Sequence, residues 1–314
     1  MLVVVTETID QRGLQLLEPV SKVIYDPALW RSPELTAYLK EADALIVRNQ
    51  TKVTAALLEK APNLKIVGRL GVGLDNIDLA AARQRQVPVV FARGANATAV
   101  AEYVLGAMLA SARRFGPATR HVLEGGWNRE AFYGTELSGK TLGLVGLGDI
   151  GMRVALRARA FQMQILAYDP LLLPTSAAVV ETSAKLVTLE ETLAQADFIS
   201  IHVPLIAETR GLLGAERLAL LKPSAILINT SRGHIVDEPA LAAHLREGKI
   251  AGAVLDVFAQ EPPNPDLWQG LDNIILTPHV GGLTQEAQYR TATLVCQAVS
   301  EVLEGKAVNP LLCA

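Results

Sequence analysis

The sequence has little cysteine, no long uninterrupted apolar run and no excess of either charge. Cys296 and Cys313 are the only cysteines, and neither sits in a Cys-x-x-Cys pair, which excludes a disulfide framework, a redox dithiol and a cysteine-spaced zinc site. No metal is expected. The most apolar stretch, around Ala95 to Ala112, is broken by Glu102, so no segment offers the roughly 18 uninterrupted apolar residues that a membrane span requires. The opening Met1-Leu2-Val3-Val4-Val5-Thr6-Glu7 lacks the basic flank and small-residue cleavage site of a secretory signal. It reads as a strand, and the expectation is a cytoplasmic protein without a membrane partner. Twenty-nine Lys and Arg against 32 Asp and Glu leave a formal charge of −3, too balanced for a phosphate-backbone ligand, so no nucleic acid partner is expected.

Apolar residues are abundant instead. Half of the 314 residues are hydrophobic and 19% are charged, which excludes a chain held open by charge. The length predicts two domains or one large one. Short β-rich runs alternate with longer stretches of helical spacing, the pattern of an α/β protein with parallel sheets covered on both faces. The first third offers strands at 2–5, 22–25, 44–47, 65–67 and 87–90. A second series lies near 141–145, 165–168, 198–201, 226–229, 252–255 and 274–277, and six is the strand number of a doubly wound dinucleotide fold. Between them, Asn96 to Arg114 is rich in Ala, Leu, Val and Met without proline and predicts a buried helix joining two lobes. After Gly281-Gly282 only Gln285 to Leu303 keeps helical spacing. One helix cannot be a domain, so it is expected to return to the first lobe, giving a discontinuous domain of residues 1–97 and 284–314 around a continuous one of 98–283. The piece 115–139, with Gly125-Gly126-Trp127, fits neither series and is expected to be an arm used in dimer contacts.

The run Thr141-Leu-Gly-Leu-Val-Gly146-Leu-Gly148-Asp149-Ile150-Gly151 takes a strand through G-x-G-x-x-G into a helix. Gly146 permits the tight turn, Gly148 admits a pyrophosphate to the backbone, and Gly151 lets helix and strand approach, with the phosphates at the positive helix end. The next strand ends in Asp169, 18 positions after Gly151, close to the spacing at which a carboxylate meets the adenosine ribose hydroxyls. Pro170-Leu171-Leu172-Leu173 supplies no Arg for a 2′-phosphate, so NAD is expected over NADP. His202 and Pro204, after another strand, are placed at the border of the cofactor.

Later strands are followed in turn by Arg232, Glu261 and His279. In a parallel sheet all strand carboxyl ends face one edge, where ligands bind, so these three side chains are expected to converge. Arg offers a planar fork for a carboxylate, His exchanges a proton near neutral pH, and Glu orients the ring and favours its protonated form. Such a set suits a carboxylate substrate whose neighbouring oxygen gains or loses a proton. Singly, each residue is equally at home in a structural ion pair or a solvated turn.

The fingerprint at 143–151, Asn229-Thr-Ser-Arg232-Gly-His-Ile-Val-Asp-Glu238, Leu255-Asp-Val-Phe-Ala-Gln-Glu261-Pro and Thr277-Pro-His279-Val-Gly-Gly resemble, in order and spacing, the signatures of the D-isomer-specific 2-hydroxyacid dehydrogenases. The resemblance covers essentially the whole chain, and none of these positions departs from the family pattern. It implies a Rossmann cofactor domain inserted into a smaller flavodoxin-like substrate domain, NAD as cofactor and a homodimer. It implies an oxidoreductase interconverting a small 2-hydroxy acid and its 2-keto acid by hydride transfer, with Arg232 binding substrate, His279 as acid/base and Glu261 as its partner. Thr230, Ser231, Asp256 and the backbone near Gly281 would border the nicotinamide. Arg69-Leu-Gly-Val72-Gly73-Leu-Asp-Asn76 resembles the family's substrate loop, where N–H groups around Val72 and Gly73 hold the carboxylate. Val47-Arg48-Asn-Gln-Thr-Lys52 resembles the phosphoglycerate dehydrogenase segment that gives an Arg to the substrate phosphate. With Arg48 and Arg69 in the site, a substrate with a second anionic group is favoured, of the 3-phosphoglycerate or 3-sulfolactate type; with both in ion pairs, glyoxylate or hydroxypyruvate reduction stays open. An NAD(H)-sensing corepressor-like binding protein is the reading from a different class. Formate dehydrogenase chemistry is disfavoured, because it pairs the His with Gln.

Overall fold

The computed structural model describes all 314 residues. The chain divides into two compact units, Met1–Asn96 with Leu283–Ala314, and Ala97–Gly282.

The first unit is built on five parallel strands: β1 (Leu2–Val5), β2 (Lys22–Tyr25), β3 (Ala44–Val47), β4 (Ile66–Arg69) and β5 (Val89–Phe91). They lie in the order β2-β1-β3-β4-β5, the flavodoxin-type order. The central β3 is buried along its whole length, as expected of a parallel strand covered on both faces. β4 and β5 begin one and two residues later than their apolar runs suggest; Pro88 carries no N–H for the ladder, and β5 starts just beyond it. The helix Gln285–Leu303, capped by Thr284 accepting from the Ala287 N–H, buries Ala292, Val295, Cys296 and Val299 in this unit's core. Each aliphatic side chain so buried contributes about 1.5–3 kcal/mol. Close approach is possible because Gly68 of β4 lacks a Cβ, which would lie 2.7 Å from Val295 Cγ1. Burial pushes the Cys296 thiol up to about 12, so it packs as an unreactive apolar group.

The second unit carries seven parallel strands: β6 (Thr141–Val145), β7 (Gln164–Tyr168), β8 (Lys185–Leu186), β9 (Phe198–Ile201), β10 (Ile226–Asn229), β11 (Gly252–Leu255) and β12 (Ile274–Leu276). Their order is β12-β11-β10-β9-β6-β7-β8, the doubly wound order with one strand added at the far edge. The sequence reading has six strands here. It omits β8, whose two residues are too few to show a period of two; the readable signal comes after it, where Thr188 and Glu191 form a capping box. The helix Ala97–Ala112 belongs to this unit and packs through Ala101, Val104 and Met108 into the core beside β6 and the helix Asp149–Ala160. Residues 115–139 contain a helix, Phe115–Leu123, and a short 3-10 turn, Glu130–Phe132. Pro117 sits in that helix's first turn, where its missing N–H costs nothing.

The topological switch point falls between β6 and β9, whose connections leave toward opposite faces. Ligands bind at such a point, outside the strand carboxyl ends, and the loops after β6, β7, β9, β10, β11 and β12 all open on that edge.

Candidate active site

The loop after β6 shows why three glycines are spaced as they are. Gly146 has φ +95°, and a Cβ there would lie 2.6 Å from the His202 carbonyl oxygen. A Cβ on Gly151 would lie 2.3 Å from the Gly146 carbonyl oxygen, so the helix start rests directly on the turn. Gly148 differs: its Cβ would point into open space. It is the N-cap of the helix Asp149–Ala160 and provides no side-chain cap, so the first-turn N–H groups at Asp149, Ile150 and Gly151 are left for an anion. Asp169 anchors the loop, its Oδ2 accepting from Leu147 N–H at 2.9 Å and its Oδ1 from Leu171 N–H at 3.0 Å. The glycine cradle and the uncapped helix end fit a pyrophosphate, and the half-exposed Asp169 fits a ribose.

His202 lies against this loop, its carbonyl oxygen facing Gly146 and its ring facing Gly151. Its Nε2 is 2.9 Å from Ser200 Oγ, and its Nδ1 is buried without a partner. Burial pushes its pKa down to about 3, so the ring is neutral and supports the loop by packing. Pro204 follows, exposed, its carbonyl accepting from Thr209 Oγ1 at 2.6 Å.

The turn after β10 is fixed by Asn229, which the sequence reading leaves without a role. Its Oδ1 accepts from the Ser231 N–H at 3.0 Å and its Nδ2 donates to the Arg232 carbonyl at 2.9 Å. Ser231 Oγ donates to the Ile201 carbonyl at 2.8 Å, so both Ser231 and Asn229 set the direction of Arg232. Thr230 Oγ1 is buried without a partner, an unfilled hydrogen-bonding group of the kind a ligand amide satisfies.

Asp256, 1% exposed, ends β11. Its Oδ1 accepts from Thr277 Oγ1 at 2.6 Å and from the Val280 N–H at 2.8 Å, and its Oδ2 accepts from the Gly281 N–H at 2.7 Å. Because Thr277 spends its proton on Asp256, the Tyr103 hydroxyl 2.5 Å away donates to it. Tyr103, from the helix Ala97–Ala112, is therefore part of the support of this loop. The sole hint in the sequence is an aromatic hydroxyl in a mostly apolar helix.

The loop so held carries His279 with φ +56°, the left-handed region that is costly for a residue with a Cβ. His279 Nδ1 is 3.0 Å from Glu261 Oε2, and Phe258 N–H donates to Glu261 Oε1 at 3.2 Å. Partial burial raises the proton affinity of Glu261, but the His279 bond and charge, the Phe258 N–H and the field of Arg232 outweigh it and hold the carboxyl below its usual range. Glu261 is thus ionised near neutrality. The structure brings together His279 and Glu261, with Arg232 near enough to act on the carboxylate.

In the first unit, register pairs Val47 with Arg69, so Arg48 and Arg69 stand at the carboxyl ends of neighbouring strands. The Arg48 loop is pinned by Glu7, whose two oxygens accept from the N–H groups of Arg48, Asn49, Gln50 and Thr51 at 2.9–3.0 Å. Burial lowers the proton affinity of the Arg48 guanidinium and the Glu7 charge raises it. Arg69 Nη1 donates to the Leu70 carbonyl at 3.2 Å, and the guanidinium covers Gly71, where a Cβ would clash. Val72 and Gly73 follow in a half-buried loop.

A doubly wound sheet with a glycine cradle at its switch point, an acidic residue after the next strand and a His–Glu pair at the same edge defines a dinucleotide-binding α/β protein with an acid/base pair beside the cradle. Residues 105–281 match the NAD binding domain of the D-isomer specific 2-hydroxyacid dehydrogenases. A D-3-phosphoglycerate dehydrogenase from Methanocaldococcus jannaschii is 44% identical over 304 residues, 97% of this chain and 58% of that protein. A hydroxypyruvate reductase from Thermotoga maritima is 41% identical over 302 residues, 95% of this chain and 97% of that one. A solved D-lactate dehydrogenase from Aquifex aeolicus, complexed with NAD and lactic acid, superposes with a TM-score of 0.86 at 28% identity, covering 97% of this chain and 96% of that one. The chain belongs to the D-isomer specific 2-hydroxyacid dehydrogenase family. It spans a little over half the length of the phosphoglycerate dehydrogenase it matches.

Proposed function

We propose that the protein is an NAD-dependent dehydrogenase that interconverts a small 2-hydroxy acid and its 2-keto acid, with a substrate bearing a second anionic group of the 3-phosphoglycerate or 3-sulfolactate type. The observation that carries this reading is the His279–Glu261 pair at 3.0 Å, on the strand edge that also bears the glycine cradle. The dinucleotide held there would supply the redox chemistry, NADH giving a hydride to the keto carbon in reduction and NAD+ taking one from C2 in oxidation. In reduction, protonated His279 gives its proton to the keto oxygen and becomes neutral, while Glu261 keeps the ring oriented. Arg232 binds the substrate carboxylate and stabilises the charge developing on the oxygen. Gly146, Gly148, Asp149, Ile150, Gly151 and Asp169 hold the dinucleotide, and Thr230, Ser231, Asp256 and Gly281 border its nicotinamide, with His202 and Pro204 nearby. In the first unit, N–H groups of Val72 and Gly73 are assigned to the carboxylate and Arg48 and Arg69 to the second anion. The partly desolvated Arg48 favours this assignment, since an anion recovers the solvation it has lost.

The test is NADH oxidation with glyoxylate, hydroxypyruvate, phosphohydroxypyruvate and sulfopyruvate. Preference for the last two, lost in Arg48→Ala or Arg69→Ala, supports the reading. Turnover of the small keto acids alone replaces it with a hydroxypyruvate or glyoxylate reductase, the reading favoured by the nearly full-length match to the Thermotoga protein. Tight NADH binding without turnover replaces it with an NAD(H)-sensing protein.

No helix is long and apolar enough to cross a membrane. We propose a cytoplasmic homodimer with no membrane or nucleic acid partner. The arm after Ala112 is folded, with Asn128 N–H donating to His121 Nε2 at 3.0 Å and Arg114 Nη1 to the Ala131 carbonyl at 2.9 Å. It leaves Leu123, Trp127 and Tyr133 80% or more exposed, an apolar surface of the kind that a second copy covers. Sedimentation is expected to give a dimer for the wild-type chain and a monomer for Leu123→Glu/Trp127→Glu. A dimer that survives both changes removes the arm from the interface.

A further inference from the structure

The His279–Glu261 pair is backed by a third titratable residue. We propose that Glu238 is a positioning residue for this pair, holding the Phe258–Glu261 loop through the Ala259 N–H. The inference rests on the dehydrogenase reading above.

Glu238 opens the helix Glu238–Arg246, but it does not cap it. That task falls to Asp237, whose Oδ1 accepts from the Ala240 N–H at 3.0 Å. Glu238 instead reaches across the loop to accept the Ala259 N–H at 2.6 Å. The same peptide is pressed from the other side by the turn that carries Arg232: a Cβ on Gly233 would lie 1.9 Å from the Phe258 carbonyl carbon and 2.0 Å from Ala259 N. Next along the loop, Phe258 N–H donates to Glu261 Oε1, and the Phe258 ring stands edge-on to Trp268 at 6.5 Å. Gripped at Ala259, the loop has little freedom to carry Glu261 away from His279.

The side chain is half-buried behind the pair. Burial raises the proton affinity of Glu238, the Ala259 N–H and His234 lower it, and the charge of Glu261 raises it further, which places the two carboxylates close enough to feel each other across the loop they share.

The experiment is NMR of the histidine rings, with steady-state kinetics, on the wild-type chain, Glu238→Gln and Glu238→Ala, using His279→Asn to identify the His279 signal. Gln keeps an oxygen for the Ala259 N–H, and Ala does not. In Glu238→Gln the Nδ1 proton signal of His279, which reports its bond to Glu261, is expected to keep its position, with kcat for keto-acid reduction within about twofold of wild type. In Glu238→Ala the grip is lost: that signal is expected to shift or broaden, and kcat to fall about tenfold at unchanged NADH affinity. An unaltered His279 signal or full activity in Glu238→Ala, or equal impairment of Gln and Ala, overturns the proposal. A wild-type protein that reduces no keto acid defeats the dehydrogenase reading, and the ring signal then still decides the positioning.

Discussion

His279→Asn is expected to lower kcat for keto-acid reduction by about 10²- to 10⁴-fold, the loss typical of removing a positioned general acid. Asn suits the test because it tolerates the left-handed backbone that position 279 adopts, so the loop hung on Asp256 by the Val280 and Gly281 N–H groups keeps its shape. It also keeps bulk and polarity while losing the exchangeable proton. NADH affinity, read by quenching of protein fluorescence, should stay within about threefold of wild type, a change under 1 kcal/mol. Retention of full turnover would remove His279 from the chemistry, whereas a parallel loss of NADH affinity would mark it as structural. The pH dependence follows the same logic. Glu261 is held ionised by His279 and the Phe258 N–H; its folded pKa is depressed, so its contribution is present above the usual carboxylate range and is lost as pH falls through the depressed value. Reduction needs the proton on His279 and declines as pH rises, and oxidation needs it absent and declines as pH falls.

The second large effect separates two glycines that the motif treats alike. Gly151→Ala places a methyl group 2.3 Å from the Gly146 carbonyl oxygen. Backbone on both sides cannot retreat as a side chain end can, so the helix start must move, at a cost of about 1–3 kcal/mol or more. Both melting temperature and NADH affinity should fall, the affinity by at least about tenfold. Gly148→Ala meets no protein atom within 4 Å, and φ −77° suits alanine. Its stability should match wild type, while NADH affinity falls because the methyl group fills the space in which the pyrophosphate meets the helix end. Calorimetry on both variants, with and without NADH, checks the contrast. Undiminished affinity in Gly148→Ala would show that the phosphates lie elsewhere, and an unaltered melting temperature in Gly151→Ala would contradict the packing at Gly146.

Much of the second unit is legible in the sequence because a parallel sheet writes itself plainly: buried strands such as Phe198–Ile201 and Ile226–Asn229 are continuous apolar runs, and chemistry follows their carboxyl ends. That rule alone collects Gly146, Asp169, Arg232, Glu261 and His279 on one edge. The rule reports where a side chain starts and says nothing of what it touches. Asp256 is the clearest example. Its place after β11 suits a ligand contact, but all three of its hydrogen bonds go to the loop of His279. His202 is another: nothing in its position after β9 announces its bond to Ser200 or its packing against the glycine turn. Glu238 and Tyr103 act through partners 21 and 174 positions away, separations at which no periodicity carries a signal.

The sequence by itself determined the α/β class, most of the strands, the glycine turn and the set of residue types at the strand ends. These follow from local physics: hydrophobic periodicity, the absence of a Cβ and the direction in which a parallel strand ends. The tertiary structure alone decided the left-handed backbone at His279, the four N–H groups that converge on Glu7, and the grip of Glu238 on Ala259. Each of these is a bond or a strain imposed by segments distant in the chain, and its free energy exists only when packing has brought those segments together.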